Sequence, residues 1–465
     1  MSGVLELLVV QMDISRHAIE ELFEREQAAF VTARPKSREL FERAQASLIG
    51  GVPMQWMIEW PGQFPIFLQC AKGARVTDVD GHRYVDLCLG DTGAMFGHAP
   101  PVVTDEIAAQ AGRGITSMLP TEDSLWVAEE LARRFGLPYW QMALSATDAN
   151  RFALRLARAI TGRNRILVFN GCYHGTVDET IVILRDGMSS SREGNVGPAF
   201  DPTTTTDVVE FNDVEALDKV LSSREVACVL TEPALTNHYG IVLPEANYHD
   251  ALRDITRRYG TLLIIDETHT ISTGPGGYTR AYRLEPDMLV LGKPIASGVP
   301  AAVYGMSHQV AEKVRSRTVS PDIPVAGIGG TLSANALSTH AMRATLEHLM
   351  TEPNYVHMIA LAQRLAAGVE ETIRDYRLLW YVTRLGARVE YRFQPTPPRN
   401  ASEAELGADP ELKHLIHLFC LNRGLLLTPF HNMALISPAT SEGDVDLHTR
   451  VVRECVEAIM ERDHY

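Results

Sequence analysis

Hydrophobic and polar positions along the chain change their period several times, and each change predicts a different kind of element. Residues 14–50 place apolar side chains at helical spacing among many charges, in ISRHAIEELFEREQAAF and SRELFERAQASL. A helical stretch is expected there, ending at the Gly50-Gly51-Val52-Pro53 breaker. Pro61, Gly62 and Pro65 follow, so residues 54–67 read as loop and edge strand. Residues 73–89 alternate about Asp80-Gly81, a hairpin signal. From Trp140 onward, short apolar runs alternate with helical periods, which predicts a largely parallel sheet. Its expected strands are 165–170, 226–232, 262–266 and 288–291, with 301–306 closing the sheet. A long helix is expected over 333–350, after Gly329-Gly330-Thr331, and β patterning restarts over 378–393. Residues 394–410, rich in Pro and Glu, read as a solvated excursion. Leu447, Val451, Cys455 and Ile459 mark the inner face of a C-terminal helix.

The stretch 261–306 (TLLIIDETHTISTGPGGYTRAYRLEPDMLVLGKPIASGVPAAVYGM) carries the chemistry. Two buried-strand patterns each end in one charged residue, Asp266 on the first and Lys293 just past the second. In a parallel α/β sheet both stand at the carboxyl edge, where ligands bind. That pairing suits pyridoxal phosphate: the lysine forms a Schiff base with the aldehyde, and the carboxylate keeps the pyridine nitrogen protonated. An ordinary buried ion pair is the other reading of the same two residues.

Composition narrows the class. The chain has 465 residues, 45% of them hydrophobic, and its 43 basic against 58 acidic residues give a net charge of −15. That length predicts more than one lobe, and that charge argues against a nucleic-acid binder. Six cysteines without a C-x-x-C spacing fit reduced thiols better than a disulfide framework or a metal site. The apolar run 4–12 is short and contains Glu6, so neither a signal peptide nor a membrane span is expected and the location expected is cytoplasmic.

Other segments offer candidate partners for such a cofactor. Ser145-Ala146-Thr147-Asp148 opens a helix, which suits either a phosphate at free backbone N–H groups or a plain N-cap. Tyr173, between glycines in NGCYHG, can lie flat on a ring or be a strand-end core tyrosine. Glu232 ends another strand at the same edge. Trp56, Met57 and Trp60 form an aromatic and sulfur-rich loop that either packs or roofs a pocket. The glycine-rich loop from Gly90 to Pro100 is of the kind that lines sites, and its His98 can also be a structural hydrogen bonder.

Taken in order, the segments SRELFERAQASLIGGVP, DVDGHRYVDLCLGDTGAMFGHAPP, SATDAN, GCYHG, TEP, IIDETHT, LGKPIASGVP and GGTLSAN resemble the class III pyridoxal-phosphate aminotransferases of fold type I. The resemblance is close to glutamate-1-semialdehyde aminomutase and to amine (ω-) transaminases. It implies an α/β fold: a large domain with a mostly parallel seven-stranded sheet, over about 77–330, and a smaller α+β domain from 1–76 and 331–465. It implies a homodimer with the sites at its interface. Position by position, Lys293 becomes the Schiff-base lysine and proton carrier, and Asp266 the partner of the ring nitrogen. Ser145, Ala146 and Thr147 face the phosphate, and Thr331 reaches it from the neighbouring subunit. Tyr173 stacks on the ring with His174 and Gly175 beside it, Thr268 lies under the opposite face, and His269 is near the 3-hydroxyl. Met95 and Phe96 are implied to line the substrate pocket across the interface.

Departures from the family pattern matter for the substrate. Ala146 and Asp148 replace the usual Gly and Glu, and Thr268 and His269 stand where Val and Gln or Arg are commoner. Near residues 52–57 an arginine is frequent in relatives acting on amino acids, and here Met, Gln and Trp stand instead. A guanidinium recognises a carboxylate in a bidentate way that an apolar roof does not. The expected substrate is therefore an amine with a sizeable apolar group, its nitrogen passed to a keto acid such as pyruvate. Arg392 and Arg423 are the candidates for the acceptor's carboxylate, each also readable as structural. The same residues serve an aminomutase or racemase equally, since Lys293 is required for both.

Overall fold

The computed structural model describes residues 14–237, 239–318 and 325–461. The run 4–12 lies outside them. Among the described residues no helix is long and apolar enough to cross a membrane.

The central sheet has seven strands in the order Tyr139–Ala143, Ala302–Met306, Met288–Leu291, Leu262–Asp266, Val226–Thr231, Arg165–Phe169, Thr206–Val209. Leu262–Asp266 pairs in parallel with both of its neighbours, whereas Ala302–Met306 runs antiparallel between Met288–Leu291 and Tyr139–Ala143. The sheet is therefore mostly parallel, as expected. Ala302–Met306 does not close it: Tyr139–Ala143 and Thr206–Val209 are the edges. All residues of Val226–Thr231 and Met288–Leu291 are buried. Helices cover both faces, so these strands read as unbroken apolar runs rather than alternating ones.

The helix Ala146–Thr161 buries Ala149, Phe152, Ala153, Leu156, Ala157 and Ile160, the face its sequence predicts. Ser145 caps its start by accepting from the Asp148 N–H, and Gly162 ends it with φ 71°. The expected helix over 14–50 is divided into Arg16–Ala33 and Pro35–Ala44, because Pro35 has no N–H for a continuous ladder. The chain then passes through 3-10 turns at Ile49–Gly51 and Gln55–Ile58 before strand Leu68–Lys72. The helix expected over 333–350 spans Ala336–His348, capped by Asn335.

Among the described residues three smaller sheets accompany the large one. The Asp80-Gly81 hairpin forms as strands Arg75–Asp78 and Arg83–Asp86, joined by Leu68–Lys72 on one side and Leu425–Leu426 on the other. The 76/77 boundary read from the sequence falls inside this hairpin, while all seven strands of the large sheet lie between 139 and 306. Tyr381–Leu385, Arg388–Arg392 and Met433–Leu435 make another, and Val182–Arg185 pairs with Met188–Ser191 in the last. Residues 394–410 are not simply solvated. They contain the helix Ala401–Leu406, whose Ala401 and Ala404 are buried. The helix Glu442–Met460 has a full Ser441–Asp444 capping box and buries Val451, Cys455 and Ile459.

Candidate active site

The carboxyl edge of the parallel strands opens into a cavity of about 360 Å³. Among its lining residues are Trp56, Ser145, Ala146, Thr147, Tyr173, Gly175, Glu232, Asp266, Thr268, His269 and Lys293. Residues spread over 237 positions of sequence thus share one space, because all of them but Trp56 end or follow a strand of the same sheet.

Asp266 ends its strand fully buried and accepts three hydrogen bonds: from His174 Nδ1 at 3.0 Å, Asn150 Nδ2 at 2.8 Å and the Thr268 N–H at 3.1 Å. Burial alone would raise its pKa, but these donors, His174 foremost, bring it down to about 2. Burial would likewise lower His174. The neighbouring Cys172 and Asp266 reverse that and raise it to about 10. The two form a buried imidazolium–carboxylate pair. His174 therefore stands behind Asp266 rather than beside a ring in the cavity. Asn150 also donates to the His174 carbonyl and locks both to the helix Ala146–Thr161.

Lys293 follows Gly292 in the left-handed region, with φ 44°. A side chain on Gly292 would meet Ala146 Cβ at 2.8 Å, so glycine lets this loop lie against the helix start. Lys293 Nζ lies 2.5 Å from Asp91 Oδ2 and 2.5 Å from His269 Nε2. Burial, then the charge of Lys293, hold the His269 imidazole well below its usual pKa, hence neutral. Its Nε2 accepts from Lys293, so its Nδ1 carries the hydrogen toward Thr236 Oγ1 at 2.9 Å. The Thr236 hydroxyl donates in turn to Glu232, whose pKa burial raises to about 7. Thr236 and His269 thus connect Glu232 to the lysine.

Behind this row, Arg388 is fully buried and clamps two loops. It donates to the His269 carbonyl at 3.2 Å and to the Thr92 hydroxyl, next to Asp91. Asp91, Asn150, Thr236 and Arg388 were not singled out from the sequence. Asn150 sits in the quoted SATDAN segment and Asp91 in the glycine-rich loop. Leu89, Asp91 and Thr92 all adopt positive φ, which the sequence alone does not reveal.

At the opposite side of the cavity, Gly175 has φ 80°, and a Cβ there would lie 2.9 Å from Thr147 Cα and closer still to its hydroxyl. Thr147 Oγ1 accepts from the Thr176 N–H at 3.1 Å. Free N–H groups at the start of Ala146–Thr161, with the helix dipole, suit a dianion at this end. Tyr173 meets Trp56 edge-on at 5.6 Å, and Trp56 meets Phe430 at 5.9 Å. Trp56 and Tyr173 line the cavity, and Phe430 backs Trp56 from outside that lining.

Several residues expected at the site lie elsewhere. Met95 and Phe96 are buried in the chain's own core, with Phe96 against Tyr355 at 6.1 Å. Their apolar side chains pack inward as any core residue does, so they do not line this cavity. Trp60 packs in the cluster of Phe30 and Phe64, and Met57 is exposed outside the cavity lining. Arg392 spends its guanidinium on the carbonyls of Tyr239 and Ala404. Arg423 pairs with Glu26, donates to the Phe419 carbonyl and stacks on the Phe419 ring. Both arginines are structural in this chain. Thr331 is exposed and does not line this chain's own cavity. Among the described residues no cluster of His, Cys, Asp and Glu is arranged to hold a metal.

A buried carboxylate held ionised, a lysine on the neighbouring strand's loop, an aromatic ring in the same cavity and a helix start suited to an anion fit pyridoxal phosphate. Comparisons with known proteins agree. Residues 57–445 match the family profile "Aminotransferase class-III". A glutamate-1-semialdehyde 2,1-aminomutase of Desulfitobacterium hafniense is 34% identical over 404 residues, covering 86% of this chain and 92% of that protein. The crystal structure of a glutamate-1-semialdehyde-aminomutase from Pseudomonas aeruginosa PAO1 superposes with a TM-score of 0.94 at 51% identity, covering 96% of this chain and all of that one. An omega-transaminase from Sphaerobacter thermophilus superposes with a TM-score of 0.84 at 26% identity, over 92% and 99% of the two chains. The chain belongs to the class-III aminotransferase family, a pyridoxal-phosphate enzyme of fold type I.

Proposed function

We propose that this enzyme moves an amino group within one small substrate, as an aminomutase does. The observation that carries this reading is the relation along nearly the whole chain, at 34% to 51% identity, to proteins named for that reaction. It displaces the amine-to-keto-acid transaminase expected from the apolar residues near Trp56. That transaminase stays as a second reading, favoured by Trp56 in the cavity lining beside Tyr173 and Phe430.

Bound pyridoxal phosphate supplies an aldehyde that takes up an amine and a ring that withdraws electrons from the adjoining carbon. The protein's part follows from its own residues. Asp266, kept ionised by His174 and Asn150, is placed to hold a proton on a ring nitrogen. Lys293 carries a proton at Nζ, and the neutral His269 orients that nitrogen. Ser145, Ala146 and Thr147 bind the phosphate, Tyr173 covers one ring face and Thr268 the other. Trp56 shields the reacting atoms from water. We further propose a homodimer in which Thr331 serves the neighbouring site, with small molecules rather than nucleic acid or membrane as partners.

The test is nitrogen bookkeeping on the purified holoenzyme. Glutamate 1-semialdehyde labelled with ¹⁵N is incubated with and without pyruvate, and products are followed by NMR. Isomerisation with the label retained, and no alanine formed, is the expected result. Labelled alanine accumulating in step with loss of the amine overturns the aminomutase reading in favour of the transaminase.

A further inference from the structure

We infer that Asp91 is a specificity-determining residue: it docks the reacting ammonium of the substrate and repels any carboxylate carried on the same carbon. The inference rests on the amino-group chemistry proposed above and names the substrate class of that site.

Asp91 already holds an ammonium in this structure. Its Oδ2 is 2.5 Å from Lys293 Nζ and 3.8 Å from His269 Nε2. Its side chain is 24% exposed and adjoins the cavity through Lys293 Nζ and His269, both of which line it. The backbone fixes its direction, since the Asp91 N–H is bonded to the Cys88 carbonyl at 3.1 Å and φ is 48°. Lys293 foremost, with the buried Arg388, keeps the carboxylate ionised against its burial. A carboxylate this well neutralised is a poor proton acceptor and a good counter-ion.

A substrate amine that takes the place of Lys293 brings its nitrogen to where Nζ stood, and so within reach of Asp91. A group on the carbon next to that nitrogen then lies only a few ångströms away. A methyl or a hydrogen there is harmless. A carboxylate there meets a like charge in a site shielded from water, where repulsion is strong. Among the described residues lining the cavity, Lys293 is the one lysine or arginine, so no other lining cation offsets that repulsion. The substrates that fit have an amine on a carbon bearing no carboxylate. The same charge opposes a 2-oxo acid such as pyruvate, whose carboxylate adjoins the reacting carbon.

Isopropylamine and alanine form the matched probes, since they differ by a methyl against a carboxylate on the reacting carbon. Each is titrated into pyridoxal-phosphate-loaded wild type, Asp91→Asn and Asp91→Ser, and the dissociation constant is read from the cofactor absorbance. The ratio of the alanine to the isopropylamine constant should fall on the order of 10- to 100-fold in both variants. Asp91→Glu should restore most of the wild-type ratio. Circular dichroism and cofactor content verify that each variant is folded, and the conservative Asn and the smaller Ser guard against failure of either. A ratio unchanged within about twofold in a folded variant overturns the role of Asp91 and leaves the amino-group reading standing. No absorbance response of the wild type to isopropylamine overturns the inference and leaves the aminomutase reading, which the labelled semialdehyde tests, standing.

Discussion

The His174–Asp266 pair gives the sharpest test of how the site is built. Replacing His174 by Leu removes the imidazolium and leaves the Asp266 carboxylate buried with only Asn150 and the Thr268 N–H. His174 rises from 6.5 to about 10 on folding, so its contribution is full below pH 6.5 and lost as pH rises through 10. At pH 7 that amounts to about 4 kcal/mol, shrinking to about 1 kcal/mol at pH 9. Asp266 falls from 3.8 to about 2, which gives about 2 kcal/mol, present above pH 3.8 and lost as pH falls through 2. The His174 figure includes Cys172 as well as Asp266, so it is an upper bound on the contact, which lies at about 2 to 4 kcal/mol, and the two are not summed. The range agrees with the roughly 3–5 kcal/mol lost when one member of a buried pair is removed. Urea unfolding of the cofactor-free protein, followed by tryptophan fluorescence, measures it for wild type, His174→Leu, Asp266→Asn and the double variant. The double variant should lose less than the sum of the singles by about 1–3 kcal/mol, and the deficit of His174→Leu should diminish between pH 7 and 9. Additive singles, or a deficit that grows with pH, would refute the buried ion pair.

Further outcomes follow from the same geometry. Gly175→Ala places a methyl against Thr147 at a positive φ, so pyridoxal phosphate affinity should fall about tenfold or more in a cofactor titration while the circular dichroism spectrum is kept. Lys293→Ala should abolish covalent capture of the cofactor, read as loss of the borohydride-fixed label on the 293-containing peptide by mass spectrometry. Arg423→Ala leaves the buried Glu26 carboxylate with only Asn422 and Arg25 and should cost about 1–3 kcal/mol in urea unfolding. Its KM should be unchanged, and a raised KM would return Arg423 to the site. Trp56→Ala removes the lining ring packed against Tyr173 and Phe430, and should raise the exposure of the bound cofactor to an external fluorescence quencher.

Much of this protein is legible from residue order alone. Runs such as 262–266 and 288–291 are apolar on both faces because helices cover both sides of a parallel sheet, and that burial is written directly in the composition of each run. Asp266 and Lys293 stand out because a charge ending such a run lies where the sheet opens. Asp80-Gly81 marks its hairpin because glycine alone tolerates φ 94° without strain. These are local signals, each settled within a few residues. What only the tertiary structure decided are relations between distant segments. Arg392 and Arg423 look alike in sequence to a carboxylate-binding arginine, and carbonyls and Glu26 contributed by other elements consume them. Met95 and Phe96 sit in a glycine-rich loop that touches the site, yet backbone reversals around Thr92 turn their side chains into the core. Asp91 and Lys293 are 202 positions apart. His174 and Asp266 are 92 apart. Hydrophobic periodicity reports which side of an element is buried, but carries no information about which charged group another loop brings against it.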